Sequence, residues 1–112
     1  MSVEKEREEW VRRVNMWQLS LKKLLKTDKE CLDHGAMLTV SRYINGVISI
    51  KKYDSADHRM AIAVHRCNAK NSRERGALIA EEAWDFLARW HEFTLSIILK
   101  QGVKYVQKQF DF

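Results

Sequence analysis

Proline is absent from this 112-residue chain, and cysteine (two) and glycine (four) are scarce. With no proline ring to remove a backbone donor, long helices and regular strands are both open to it. Two cysteines are too few for the disulfide framework of a small secreted domain. The expectation is an intracellular protein with reduced thiols, in nucleus or cytoplasm. The few glycines form no phosphate-cradling loop, and no paired-acid or nucleophile-elbow pattern occurs, so no enzymatic activity is expected. No apolar run approaches the ~18 residues that span a bilayer. The acidic N-terminus is unlike a signal peptide, so no membrane association is expected.

What is present is charge, unevenly placed. Residues 1–34 carry eight Lys/Arg against seven Asp/Glu, residues 35–76 eight against three, and residues 77–112 four against five. The whole excess of the +5 net charge therefore lies in the middle third. A basic segment between near-neutral ones is the electrostatic footprint of a nucleic-acid binder.

Residues 3–27 read as an amphipathic helix. Ser2 caps it, Glu4, Glu6, Glu8 and Glu9 crowd its start, and Lys22, Lys23 and Lys26 close it. Trp10, Val14, Trp17, Leu21 and Leu24 make its apolar stripe. Residues 38–53 read as a β-hairpin: two runs rich in Val, Ile, Thr and Tyr flank Asn45-Gly46, which suits a type I′ turn. The polar stretch Asp54-Ser55-Ala56-Asp57 reads as a turn leading into a third strand over 60–66, and residues 76–79 as a fourth strand. A helix follows over 80–101, with Glu81, Glu82 and Asp85 at its start and Lys100 and Gly102 at its end. The expected fold class is α+β: an N-terminal helix, an antiparallel sheet of about four strands and a long C-terminal helix. Three units follow: helix and connector over 1–34, sheet plus helix over 35–101, and a tail over 102–112. The apolar arc of the last helix is wider than one sheet face needs. It predicts a homodimer through Trp84, Leu87, Trp90, His91, Leu95 and Ile98.

The segments Val40-Ser41-Arg42, then Gly46-Val47-Ile48-Ser49-Ile50-Lys51-Lys52-Tyr53, then Arg75-Gly76-Ala77-Leu78-Ile79 and a helix bearing Trp84 and Leu87 together carry a resemblance. Over about residues 38–95 the order and spacing are similar to the positive cofactor four family. Its members are transcriptional coactivators that bind single-stranded DNA, related in architecture to Whirly and Pur domains. The resemblance implies a twisted sheet gripping single strands and a dimer formed partly through the helix. The chain departs from the pattern in its uncharged hairpin turn, in Asp54 where the family has tryptophan, and in the inserted 60–66 strand.

A single-strand site needs a cationic groove and aromatic faces, each stacked base contributing about 1–3 kcal/mol. The residues expected to form it are Arg42, Lys51, Lys52, Arg66, Lys70, Arg73 and Arg75, with Tyr43 and Tyr53 for stacking; Arg59 is a further outward cation. The function expected is thus a non-catalytic binder of single-stranded DNA or RNA in transcription, replication or genome handling. A transcription or replication protein is a further expected partner. The alternative is a dimeric protein–protein adaptor on the same fold, such as a small viral or phage accessory protein. No cofactor or metal is expected: Cys31, His34, His65 and Cys67 could supply zinc ligands, but one residue between the second pair is too tight.

Overall fold

The computed structural model describes residues 2–21 and 25–106. Among them there is no strand. Four α-helices follow one another: α1 (Val3–Leu19), α2 (Asp28–Ile44), α3 (Ser55–Glu74) and α4 (Leu78–Gln101), with a one-turn 3-10 helix at Ile50–Lys52. This overturns the α+β expectation. The hairpin and both later strands are helix or helix connection, and the boundary drawn at residue 34 falls inside α2.

The reason lies in chemistry that two structures share. Asn45-Gly46 is a helix stop: Asn45 caps α2, and Gly46 takes φ +77° while its N–H donates to the Tyr43 carbonyl. A positive φ serves a helix C-terminus as well as a hairpin turn. Asp54-Ser55-Ala56-Asp57 is a helix start. The Asp54 carboxylate accepts from the Asp57 N–H at 2.9 Å, and Asp57 accepts from the Asp54 N–H at 3.1 Å, a reciprocal cap. Between those signals the core-facing positions of α3 are His58, His65, Ala69 and Ser72, too polar for an apolar period to reveal.

The terminal helices follow the sequence more closely. Ser2 caps α1 and accepts from the Lys5 N–H, but the helix ends at Leu19. Trp10 and Val14 are buried, Trp17 half-buried and Leu21 exposed; Lys22, Lys23 and Leu24 lie outside the described residues, as does the tail beyond Val106. Gly102, left-handed at φ 65°, ends α4 as expected.

Helix α4 is the axis. It packs along α3 over most of its length, against α2 on a second side and α1 on a third. That answers the width of its apolar arc: Leu87, Trp90, His91, Leu95 and Ile98 are buried inside this chain, with Trp84 half-buried against them. The residues assigned to a dimer interface are thus the core of one protomer. Trp10 of α1 stacks on Phe86 at 5.7 Å, and Phe86 meets Trp90 at 5.6 Å. Each such buried side chain contributes about 1.5–3 kcal/mol. The start of α4 is capped from outside: the methyl of Ala77 accepts no hydrogen bond, and the Asp33 carboxylate of α2 accepts from the Ala80 N–H at 2.7 Å. Arg66 of α3 bridges Asp85 and Glu92 of α4, each at 2.8 Å. Arg13 and Glu6 of α1 pair with Glu82 and Arg89.

Candidate functional site: a cationic cleft beside a buried histidine–tyrosine chain

The nine residues expected to form a nucleic-acid groove are spread over α2, the 3-10 turn with Tyr53 after it, and α3 with its cap, not over one sheet. Arg42 is exposed at the end of α2 and Tyr43 beside it is buried. Lys51 and Lys52 lie on the 3-10 turn, and Tyr53 packs on His58 and His91 with ring centroids at 5.5 and 5.2 Å. Arg66 is committed to Asp85 and Glu92, Arg73 lies 3.8 Å from Glu81, and Lys70 and Arg75 follow the exposed side of α3 and its cap. With the sheet gone, the groove that would align them is gone. Cys31 and Cys67 are exposed, and no three His, Cys, Asp or Glu among the described residues are placed to hold a metal ion.

The helices gather a different set. Tyr43 from α2, His58 and His65 from α3 and His91 from α4 form one hydrogen-bonded chain in the core. His58 Nδ1 lies 2.9 Å from His91 Nδ1, His91 Nε2 lies 2.7 Å from the Tyr43 hydroxyl, and that hydroxyl lies 3.1 Å from His65 Nε2. His58 and His91 are fully buried, and Trp84 stacks on His65 at 5.4 Å. His58 and His65 stand seven residues apart on one helix face, which brings both to α4.

Within this cluster only His58 feels carboxylates, those of Asp57 and Asp54; none acts on His65 or His91. Burial drives the His91 pKa down to about 3, with His65 and His58 adding repulsion, and burial alone takes His65 down to about 4. His58 is also lowered by burial, against the pull of Asp57, Asp54 and the Tyr53 carbonyl. Burial, with Tyr53 beside it, pushes the Tyr43 hydroxyl up. All four groups are neutral at pH 7, and the two outer nitrogens, His58 Nε2 and His65 Nδ1, are buried without a partner among the described residues.

The ring of Tyr43 is also a wall of a cleft of about 320 Å3. Ile44, Ile48 and Ile50 from the α2 exit, Trp90 and Thr94 from α4, and Val106 supply most of its remaining surface, with Arg7 and Lys51 as its charges. None of the described residues lining it is acidic. The Arg7 guanidinium lies 5.9 Å from the centre of the Trp90 ring, and its Nε is buried with no acceptor among the described residues. The cleft therefore offers a half-buried cation with one buried, unpartnered nitrogen, a second cation and an apolar bed, which is the chemistry for an anion with an apolar body.

Sequence reasoning read His91 as a core or interface residue and placed His65 on a strand, so it did not join the two. The signal that could have found the chain was the seven-residue spacing of His58 and His65, legible only once 55–74 is read as helix. Arg7 gave no signal, because it stands among the exposed charges of an ordinary amphipathic helix. No protein-family model, curated protein or solved structure matches this chain.

Proposed function

We propose that this helical bundle is a non-catalytic binding protein for a small organic anion, a carboxylate with an aromatic or short aliphatic body, held in the Arg7 cleft. One observation carries the reading: a buried guanidinium nitrogen without an acceptor, in a cleft lined by apolar groups and free of acidic ones among the described residues. A buried donor left unmade costs about 1–3 kcal/mol, and a bound carboxylate would recover it as a charge-assisted bond. The cleft's size is at the small end for ligand sites.

Titration of the full chain with benzoate, followed by calorimetry, tests it. Saturable binding should weaken roughly 10- to 100-fold in Arg7→Met, the equivalent of one charged hydrogen bond. Inorganic phosphate, lacking the apolar body, should bind far less. Equal affinity in wild type and Arg7→Met would overturn the assignment, as would failure of the wild type to bind at millimolar benzoate.

A second reading, the protein–protein adaptor, is favoured by one feature at the other end of the bundle. A groove of about 620 Å3 there runs past Trp17 and Met37, with Met16, Leu25 and Ile79 exposed along it. Apolar patches of this kind mark partner surfaces. Light scattering on wild type and Met16→Glu checks whether it joins two copies: a dimer lost in the variant supports that use, and a monomeric wild type removes it.

A further inference from the structure

Helices α2 and α3 both lie on α4 but barely touch each other. The gap between them is a cleft of about 250 Å3. Its α3 side is a polar stripe: Asn68, Asn71, Ser72 and Arg75 fall at positions i, i+3, i+4 and i+7, the spacing of one helix face. Asn68 is half-buried, Ser72 is buried, and Asn71 and Arg75 are exposed. Among the described residues, no hydrogen bond or ion pair engages the side chain of Asn68, Asn71 or Arg75. Trp84 of α4 lines the cleft as well, half-buried, with its ring stacked on His65 at 5.4 Å.

The α2 side holds a residue that the fold does not require. Gly35 lies inside α2 without the positive φ that favours glycine, and an added Cβ would meet nothing within 4 Å. Glycine at such a position only weakens the helix relative to alanine. What its missing Cβ does provide is bare backbone on the α2 wall of this cleft, facing the polar stripe of α3. A local rule broken with no structural return points to a ligand that needs the room.

The groups left unengaged define that ligand. Each carboxamide offers a donor and an acceptor on one plane, the pair that matches the amino donor and ring-nitrogen acceptor along one edge of adenine. Indole supplies aromatic surface for a base, and a free guanidinium pairs with phosphate. No residue lining the cleft is acidic, so nothing there repels an anion. The volume lies below the range of drug-sized sites, so it admits one flat ring system and leaves sugar and phosphate outside.

We propose that the α2–α3 cleft is a binding site for an adenine mononucleotide: the base enters between Gly35 and the Asn68 and Asn71 carboxamides, against Trp84, and its phosphate meets Arg75. The site shares no lining residue with the Arg7 cleft and does not depend on it.

Calorimetric titration of the full chain with adenosine monophosphate tests it. Asn71→Ala should weaken saturable binding roughly 10-fold, the equivalent of one two-pronged base contact. The position is exposed and helical, so this variant keeps its fold. Arg75→Gln should bring the affinity down to that of adenosine. Guanosine monophosphate, which presents two acceptors on the matching edge, should bind less well. Gly35→Ala should raise the melting midpoint by about 4 °C while weakening nucleotide binding roughly 10-fold, two readouts that a merely structural glycine would not move in opposite senses. Side-chain amide NMR signals of Asn68 and Asn71 should shift on adding the nucleotide, and that of Asn45 should not. Absence of binding at millimolar nucleotide overturns the site, as does affinity unchanged in both Asn71→Ala and Gly35→Ala. Displacement of the nucleotide by benzoate would place it in the Arg7 cleft and overturn the proposal equally. Tighter binding of a single-stranded oligoadenylate than of the monophosphate would assign the cleft to a strand, against the mononucleotide.

Discussion

Lowering the pH from 7.5 to 5 should remove about 4 kcal/mol of folding stability through His65 and His91 alone. Their folded-state pKa values, down to about 4 and about 3, lie below the ordinary histidine value of 6.5. The folded state therefore binds fewer protons than the unfolded chain wherever the pH is below 6.5, and stability falls as the pH falls. At pH 5 each unfolded-state imidazole gains about 2 kcal/mol from protonation, 1.5 pH units at 1.36 kcal/mol each, which the neutral buried ring forgoes. The loss begins near pH 6.5, steepens to about 2.7 kcal/mol per pH unit and levels off only as the buried rings themselves titrate. His58 acts in the same direction. Asp54 does not confound the window. The Asp57 backbone N–H holds its carboxylate below the usual range, so its contribution is lost only at still lower pH. Against a total of roughly 5–15 kcal/mol for a domain, the loss is large. Urea unfolding followed by circular dichroism at pH 7.5, 6.5, 5.75 and 5.0 reads it directly. Midpoints that do not move over this range, at constant m-value, would mean the three histidines are solvated or charge-compensated in solution, and the buried chain would not exist as described.

Substitutions at two further positions test the fold. Gly46→Ala should cost about 1 kcal/mol, because the residue sits at φ +77° and an added Cβ meets nothing within 4 Å. The penalty is therefore conformational, and Gly46→Asn should recover part of it in a thermal melt. Asp33→Ala should cost about 1–3 kcal/mol, because it leaves the buried Ala80 N–H without its acceptor. Asp33→Asn, which keeps an oxygen there, should lie nearer the wild type, and equal melting of all three proteins would show that the cap contributes nothing.

The ends of this chain were more legible than its middle. Ser2 as cap, the Trp10–Val14 stripe, and α4 closing at Gly102 all follow from spacing and termini, and the structure has them. The middle failed on signals with two physical solutions. Asn-Gly satisfies a hairpin turn and a helix stop alike, and Asp-x-x-Asp satisfies a loop and a capping box alike. What could have decided between them was period. Ala36, Met37, Val40 and Tyr43 are spaced by three and four, the spacing of the buried side of α2. On α3 even that clue is muted, since its inner positions are histidine, alanine and serine. The site was illegible for the same reason: polar residues became core residues, and a basic segment that suggested a surface contributed a buried chain.

The arrangement of all other helices around α4 also sets an order of loss. Helices α3 and α4 are joined by a connection of three residues, 75–77, and share the longest contact, so they form a local hairpin that can persist alone longest. Helix α1 touches its neighbours least. It is held to α4 by Trp10 on Phe86 and two half-exposed ion pairs. It is therefore the element that detaches first, with its amides the earliest among the helices to exchange in deuterated solvent. Because Arg7 rides on α1, each detachment carries the guanidinium away from the cleft, and the anion proposed to bind there would lose its cation with it. The lifetime of anything bound there is then governed less by the cleft's own contacts than by how long the first helix stays down.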